Sequence, residues 1–374
     1  MAVCSSARSV ARIHLDAIAA NFGQVRHQVG ASRQIWPAVK ANAYGHGANP
    51  VVSTLVREGA DGFCVATPEE AMEIRDAAGN KRIIVLGALE GRDINLVFES
   101  ASEVIITDLS FARELSRKSV QRRKKTAVHL KLDTGMGRLG LQPELALQTA
   151  DQLLKLEGLQ LAGVMTHFPS ADEPDQSFTR EQIHTFSTIS QQITHNMAQK
   201  PLLHCANSAA ILAHPDAWLD AVRPGIIIYG SYPSRHLSAS AKLLPAMTLA
   251  AKIVLVKEIE PGTTVSYGRT WTATRPSKIA TVSIGYGDGL PRILSNNGEA
   301  LVNGQLAPIA GRICMDLTML DVTEIKDVSV GDQAVFWGDP ETLAPSADEI
   351  ADRLGTISYE MFCGVASRVP RTYL

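Results

Sequence analysis

The chain has 374 residues, 45% hydrophobic and 20% charged, with a formal net charge of -2. That is enough chain for a large core in two domains. It supplies no basic surface for nucleic acid, no polybasic membrane anchor and no apolar run long enough to span a bilayer. The opening stretch, MAVCSSARSVARIHLD, lacks the apolar core of a secretory signal. The five cysteines (Cys4, Cys64, Cys205, Cys314, Cys363) lie far apart with no CxxC pair, so a reducing, cytoplasmic setting is expected rather than a disulfide scaffold.

In chain order, eight short apolar runs come first: WPAVKA, GFCVAT, RIIVLG, EVIITD, AVHLKLD, LAGVMTHF, LLHCANS and AVRPGIIIYG. They are mostly continuous rather than alternating, which suits strands buried on both faces of a parallel sheet. Helical patterns separate them. TPEEAMEIRDA opens with Thr67 as N-cap, Pro68 at the first helical position and Glu70 at the third, the pattern of a capping box. Ile183, Phe186, Ile189, Ile193 and Met197 share one helical face. Eight strand–helix units predict a (β/α)8 barrel over residues 10–243, with a doubly wound open sheet as the competing arrangement. From residue 244 to 374 the texture turns to strand-like runs separated by Gly, Asn and Pro. Asn303-Gly304 signals a hairpin, and one helix is expected near 347–354. This reads as a mainly β C-terminal domain, with residues 1–9 expected to pack against it.

The chemistry-bearing residues gather at predicted strand ends. Lys40 closes the first strand, on the barrel face that carries active sites. A partly desolvated lysine there can form a Schiff base with a carbonyl, although a lysine snorkelling out of a strand end is the plainer reading. Tyr44, Gly45 and Gly47 follow in a loop that could approach an anion closely, or be an ordinary turn. KLDTGMGRLG contains a GxGxxG match from Gly135 to Gly140. A nicotinamide site would need an acidic residue at the end of the next strand, which ends instead in MTHF, so that reading is rejected. Arg138, in the same loop, could clamp a carboxylate. His167 ends the sixth strand, Asn207 and Ser208 end the seventh, and Arg223-Pro224-Gly225 end the eighth, where barrel phosphate sites are often built. Singly, each has a dull explanation: a core histidine, an N-cap serine, a surface arginine. Jointly they put polar groups on four strand ends facing one mouth. HExxH, Cys/His clusters, GxxxxGK[ST] and GxSxG are all absent from the sequence, so no metal is expected.

AVKANAYGHG, KLDTGMGRLG, MTHF, ANSAA, RPGIIIYG, VSYGRTW, GYGDGLPR, GRICMD and SYEMFC, in that order from residue 38 to 363, together resemble the bacterial alanine racemases. The resemblance implies a pyridoxal-phosphate (PLP) enzyme with a barrel and a C-terminal β domain. It further implies a homodimer whose active sites are shared between subunits, with neither nucleic acid nor membrane as partner. Lys40 matches the lysine that binds PLP, and Tyr267 the tyrosine lent to the partner subunit's site. Tyr44, Ser208, Gly225, Ile226 and Tyr359 match phosphate ligands, with His167 and Asn207 beside the cofactor. Arg223 matches the arginine facing the pyridine nitrogen, and Arg138 the one holding the substrate carboxylate. Lys131 matches a lysine often carbamylated, Met315 and Asp316 substrate-side residues from the second subunit, and Tyr286 an entrance residue.

Racemisation needs a base on each face of the α-carbon. The resemblance gives Lys40 the D-isomer face and Tyr267 the L-isomer face. A free phenol has a pKa of about 10, and positive neighbours such as Arg138 would favour its ionised form. The implied role is L-/D-alanine interconversion, supplying D-alanine for peptidoglycan; a broader amino-acid racemase is the alternative. A PLP-dependent decarboxylase would carry an acidic residue where Arg223 stands, and a non-catalytic PLP-binding protein would lack the second domain.

Overall fold

Proline placement decides where the barrel strands stop. The computed structural model describes residues 7–195, 197–338 and 343–374. β1 (Ser9–Ile13) leads away to the C-terminal sheet. Eight parallel strands then follow: β2 (Gln34–Ile35), β3 (Gly62–Val65), β4 (Arg82–Val85), β5 (Glu103–Ile106), β6 (Thr126–Lys131), β7 (Leu159–Met165), β8 (Leu202–His204) and β9 (Ala221–Val222). β3 to β8 form a six-stranded parallel sheet in chain order, and β2 pairs with β9. Backbone bonds close both seams. Val39 N–H donates to the Cys64 carbonyl (2.9 Å), Ala38 N–H to the Pro224 carbonyl (2.8 Å) and Arg223 N–H to the Ala206 carbonyl (2.9 Å). Pro37 and Pro224 have no N–H to give, so the ladders at the β2 and β9 seams are short.

Two apolar runs are therefore not the strands that their composition suggests. WPAVKA contributes an isolated bridge, Ala38 to Cys64, beyond the two-residue strand β2. Lys40 thus lies past the strand, at the head of a turn. In AVRPGIIIYG only Ala221–Val222 is strand; Ile226–Tyr229 is a 3-10 turn, fully buried all the same. A short buried apolar run does not by itself distinguish a strand from a buried turn.

The helices follow their signals closely. Thr67 Oγ1 accepts the Glu70 N–H at 3.3 Å and caps Pro68–Ala78, but the Glu70 carboxylate does not complete a capping box. It binds the N–H groups of Ala66 and Ala41 instead, both at 2.7 Å. Helix Ser177–Thr194 buries Ile183, Phe186, Ile189 and Ile193 and ends before Met197.

The second part is a mainly β sheet built on β10 (Met247–Ile259). After it come β11 (Thr264–Val265), β12 (Trp271–Thr272), β13 (Ser277–Val282), β14 (Glu299–Val302), β15 (Gln305–Pro308), β16 (Thr318–Asp321), β17 (Gln333–Trp337) and β18 (Arg371–Tyr373). A register shift between Ile253 and Leu255 lets β10 pair with β1 and β17 along one half and with β13 along the other. β1 lies between β10 and β18. Of residues 1–9, positions 1–6 lie outside the described residues, as does Cys4; the other four cysteines are free. Among the described residues two α-helices occur here rather than one, Ala347–Leu354 and Ser358–Gly364.

β14 and β15 form the expected hairpin, with Asn303 at φ 46° and Gly304 at φ 79°. Gly304→Ala forces a Cβ into a left-handed position in otherwise open space. It is expected to lower unfolding stability by about 1 kcal/mol with an unchanged denaturant slope.

Candidate active site

Lys40 heads a single turn, Lys40–Tyr44, whose next four residues all have positive φ: Ala41 51°, Asn42 54°, Ala43 53° and Tyr44 52°. This is left-handed helix in non-glycine residues, disfavoured by about 1–2 kcal/mol per residue. It persists because its surroundings hold it. The Glu70 carboxylate accepts the Ala41 N–H, and Asn42 Oδ1 accepts the Ala48 N–H at 2.7 Å. His46 Nδ1 lies 2.9 Å from the Tyr44 carbonyl. A Cβ on Gly45 would stand 2.3 Å from the Phe362 carbonyl oxygen, and one on Gly47 would stand 2.0 Å from the Tyr373 hydroxyl. Arg371 Nε donates to the Gly45 carbonyl at 3.1 Å. The C-terminal part is thus a wall of the turn that presents Lys40.

Opposite the turn is a small cradle. Ser208 Oγ accepts the Gly225 N–H at 2.7 Å, and a Cβ on Gly225 would lie 2.8 Å from the Tyr44 hydroxyl. Asn207 caps helix Ser208–Ala213 through Oδ1 and donates to the Phe168 carbonyl, which fixes Ser208. The Tyr44 and Tyr359 rings meet with centroids 5.7 Å apart. Burial pushes both phenols well above the ordinary tyrosine range, so they remain O–H donors.

The third component is positive. Lys40, Arg138 and Arg223 are close enough to Lys131 and His167 for their charges to oppose protonation of both. Lys131 is buried at the end of β6, and its pKa falls to about 8, first through burial and then through the charges of Arg223 and Arg138. Burial, then the same charges, drives His167 well below the usual histidine range, which keeps its ring neutral. Arg223 is buried, with Nη1 donating to His204 Nδ1 (2.7 Å) and Nη2 to the Thr166 carbonyl (2.8 Å). Arg138 is exposed, in a loop pinned by Asp133 Oδ1, which accepts the N–H groups of Gly135 and Gly137. That loop returns beside β6 through a Leu132–Leu141 bridge before helix Pro143–Leu154 begins, so its glycines are separated from the helix N-terminus that a dinucleotide fingerprint requires.

The remaining site residues stand elsewhere. Tyr267, Tyr286 and Met315 lie on the C-terminal part, 70%, 42% and 53% exposed, and Asp316 is paired with Arg368. Tyr267 rides a loop with Ser266 at φ 66° and Arg269 at φ 50°. One copy of the chain brings the barrel residues together and leaves this second set facing solvent.

Two family models cover the chain: "Alanine racemase, N-terminal domain" matches residues 13–233 and "Alanine racemase, C-terminal domain" matches residues 246–373. The chain belongs to the alanine racemase family. It is 44% identical to alanine racemase 2 of Caldanaerobacter subterraneus, over 97% of this chain and 94% of that protein. It is 44% identical to the alanine racemase of Halothermothrix orenii, over 97% and 96%. Among solved structures, the alanine racemase of Clostridium difficile 630 superposes with a TM-score of 0.94 at 35% identity, covering 99% of this chain and 97% of that one. A Bacillus anthracis alanine racemase with bound L-Ala-P superposes with a TM-score of 0.91 at 32% identity, covering 100% and 96%. The protein is accordingly a PLP-dependent racemase.

Three residues of this alanine racemase fold escaped the sequence reading. Glu70 looked like a capping residue and holds the lysine turn. Asp133, just before the glycine match and given no role there, shapes the Arg138 loop. His204, a histidine inside a buried strand, is the partner of Arg223; its one signal was a polar ring in an apolar run. Glu70→Ala leaves two N–H groups without their acceptor. It is expected to cost about 2–3 kcal/mol of stability, read by urea unfolding, and to lower activity as the turn relaxes.

Proposed function

We propose that this chain interconverts L- and D-alanine as a homodimer, with PLP held in the barrel mouth over Lys40 and each active site completed by Tyr267 of the other subunit. The observation that carries this reading is the division of the residues. Lys40, the cradle and the cations converge in one part of the chain, while a phenol on a strained loop stands exposed in the other. Cytoplasmic D-alanine supply for peptidoglycan is part of the proposal. A biosynthetic alanine racemase of Pseudomonas aeruginosa, 36% identical with a TM-score of 0.88, supports that role.

The residues present fit the cofactor. Gly225 has no side chain where one would collide with the Tyr44 hydroxyl. The Ile226 N–H, with the hydroxyls of Tyr44, Ser208 and Tyr359, would form a donor set for a phosphate, which the Gly225 N–H would join on leaving Ser208 Oγ. Bound pyridoxal phosphate supplies a conjugated ring that acidifies the α-hydrogen of an attached amino acid. Lys40 anchors that group and moves a proton on one face of the α-carbon; Tyr267 does so on the other. Arg223 can donate but not accept, so it would leave the pyridine nitrogen of the bound group without a proton and keep that ring a weak electron sink. His167 would help to hold the same group. Arg138 holds the substrate carboxylate, and Tyr286, Met315 and Asp316 of the second copy wall the substrate side. Tyr267 is 70% exposed in a single copy; a two-fold dimer would cover it in both copies at once.

A mixing experiment tests the sharing. Lys40→Ala and Tyr267→Phe are each expected to be nearly inactive. Unfolded and refolded together, they should regain about a quarter of wild-type activity, because half the dimers are mixed and each mixed dimer has one intact site. No recovery would place both groups in one subunit. Tyr267→Phe alone should suppress solvent-deuterium exchange from L-alanine far more than from D-alanine; equal losses refute the one-base-per-face assignment.

Lys131, with a pKa of about 8, carries a neutral amine in growing fraction as pH rises through 8. Only the neutral amine adds CO2, releasing one proton and giving a carbamate that Arg138 can bind. With 13C-bicarbonate, a carbamate carbon signal is expected that strengthens from pH 7 to 9 and is missing from Lys131→Met.

A further inference from the structure

A hydrogen-bonded chain runs from Arg223 through the barrel interior toward its opposite end. Arg223 Nη1 meets His204 Nδ1 at 2.7 Å, His204 Nε2 meets His129 Nδ1 at 2.9 Å, and His129 Nε2 meets Glu103 Oε2 at 2.7 Å. Glu103 is the first residue of β5, away from the mouth, with Arg82 Nε 3.5 Å from its other oxygen. Both histidine rings are fully buried.

The barrel makes room for this chain at some cost to regularity. A Cβ on Gly163 would stand 2.1 Å from His129 Nδ1, so β7 is bare where the ring lies. The β6–β7 register shifts between Val128 and His129 at that point. Trp36 meets both imidazoles edge-on, with centroids 6.1 and 4.8 Å away. A barrel interior is ordinarily packed with branched apolar side chains, and a buried polar chain is tolerated only when fully satisfied.

We propose that Glu103 and His129 are positioning residues for Arg223: the carboxylate sets the tautomer of each histidine in turn, so that His204 offers the guanidinium a lone pair and not an N–H. The ends dictate the middle. A guanidinium only donates and an ionised carboxylate only accepts. Between them stand two neutral imidazoles, each with one donor and one acceptor. Of the four tautomer combinations, only the one with both protons on Nε2 avoids a donor–donor or acceptor–acceptor clash. Burial lowers the pKa of both histidines, consistent with neutral rings. Burial alone would raise the Glu103 pKa, but the His129 hydrogen bond and the Arg82 charge bring it below its ordinary value. With Nη1 and Nη2 fixed by His204 and the strand carbonyls, the guanidinium has one orientation in the mouth. Arg223's task toward the cofactor rests on the function proposed above; the tautomer assignment does not.

The test is nitrogen NMR of the cofactor-loaded enzyme with 15N-labelled histidine. His204 and His129 are expected as single Nε2–H tautomers. Glu103→Met removes the acceptor at the far end, and Gly163→Ala displaces the His129 ring without touching a charge. Each is expected to give His204 a mixture of tautomers and to lower kcat about ten-fold with KM within about two-fold. Either variant suffices if the other does not fold, and the tautomers of the unaltered enzyme are a test without any variant. A doubly protonated or Nδ1–H His204 in that enzyme overturns the proposal. So does a His204 tautomer unmoved in a folded variant, or an unchanged kcat. Because the spectra report ring protonation independently of turnover, a failure of the racemase reading would leave the tautomer result standing.

Discussion

Everything at this site depends on four residues held in a conformation they resist. Ala41 to Tyr44 turn left-handed, against an intrinsic cost of about 1–2 kcal/mol each. A right-handed helix would point Lys40 and Tyr44 elsewhere. The left-handed turn puts an amine and a phenol on the same cavity within five residues. Pinning therefore comes from all sides: the Glu70 carboxylate, the Asn42 side chain, the Phe362 carbonyl behind Gly45 and the Tyr373 hydroxyl against Gly47. Two of these come from the last 13 residues of the chain. The catalytic geometry of the barrel is thus a property of both parts together.

Charge is the second constraint. Lys40, Lys131, Arg138 and Arg223 crowd one mouth, with Asp133 the nearby anion that offsets part of their repulsion. Such a cluster suits a dianionic phosphate and a carboxylate arriving together. It also explains why the histidines behind it are neutral. Burial and neighbouring guanidinium groups both oppose their protonation, so imidazole here works through lone pairs and stacking rather than through charge.

Much of this was legible in the residues, for local reasons. Continuous apolar runs are what a sheet covered on both faces requires, so β3 to β8 were readable, and Asn303-Gly304 specified its hairpin. The polar groups at strand ends were readable because barrel topology puts those ends together. What was hidden depends on tertiary partners. Ala-Asn-Ala does not announce a left-handed turn; the requirement sits in Glu70, Gly45 and Gly47, whose partners are distant in sequence. Ile226–Tyr229 is as apolar as any strand and is a turn because Pro224 breaks the ladder. Tyr267 was singled out by family resemblance alone, since an exposed tyrosine on a loop leaves no signal in the local sequence pattern.

β1 has a consequence for how the molecule is made. Ala11 sits beside Leu249 on one side and Arg371 on the other. A ribosome releases the barrel's eighth strand while neither neighbour of β1 yet exists, and β18 emerges long after β10. β1 therefore waits with bare edges while the whole barrel is synthesised, a state open to pairing with other nascent chains. Pairing with β18 then brings two segments far apart in the sequence into one sheet, so that sheet is fastened only after the barrel has been made.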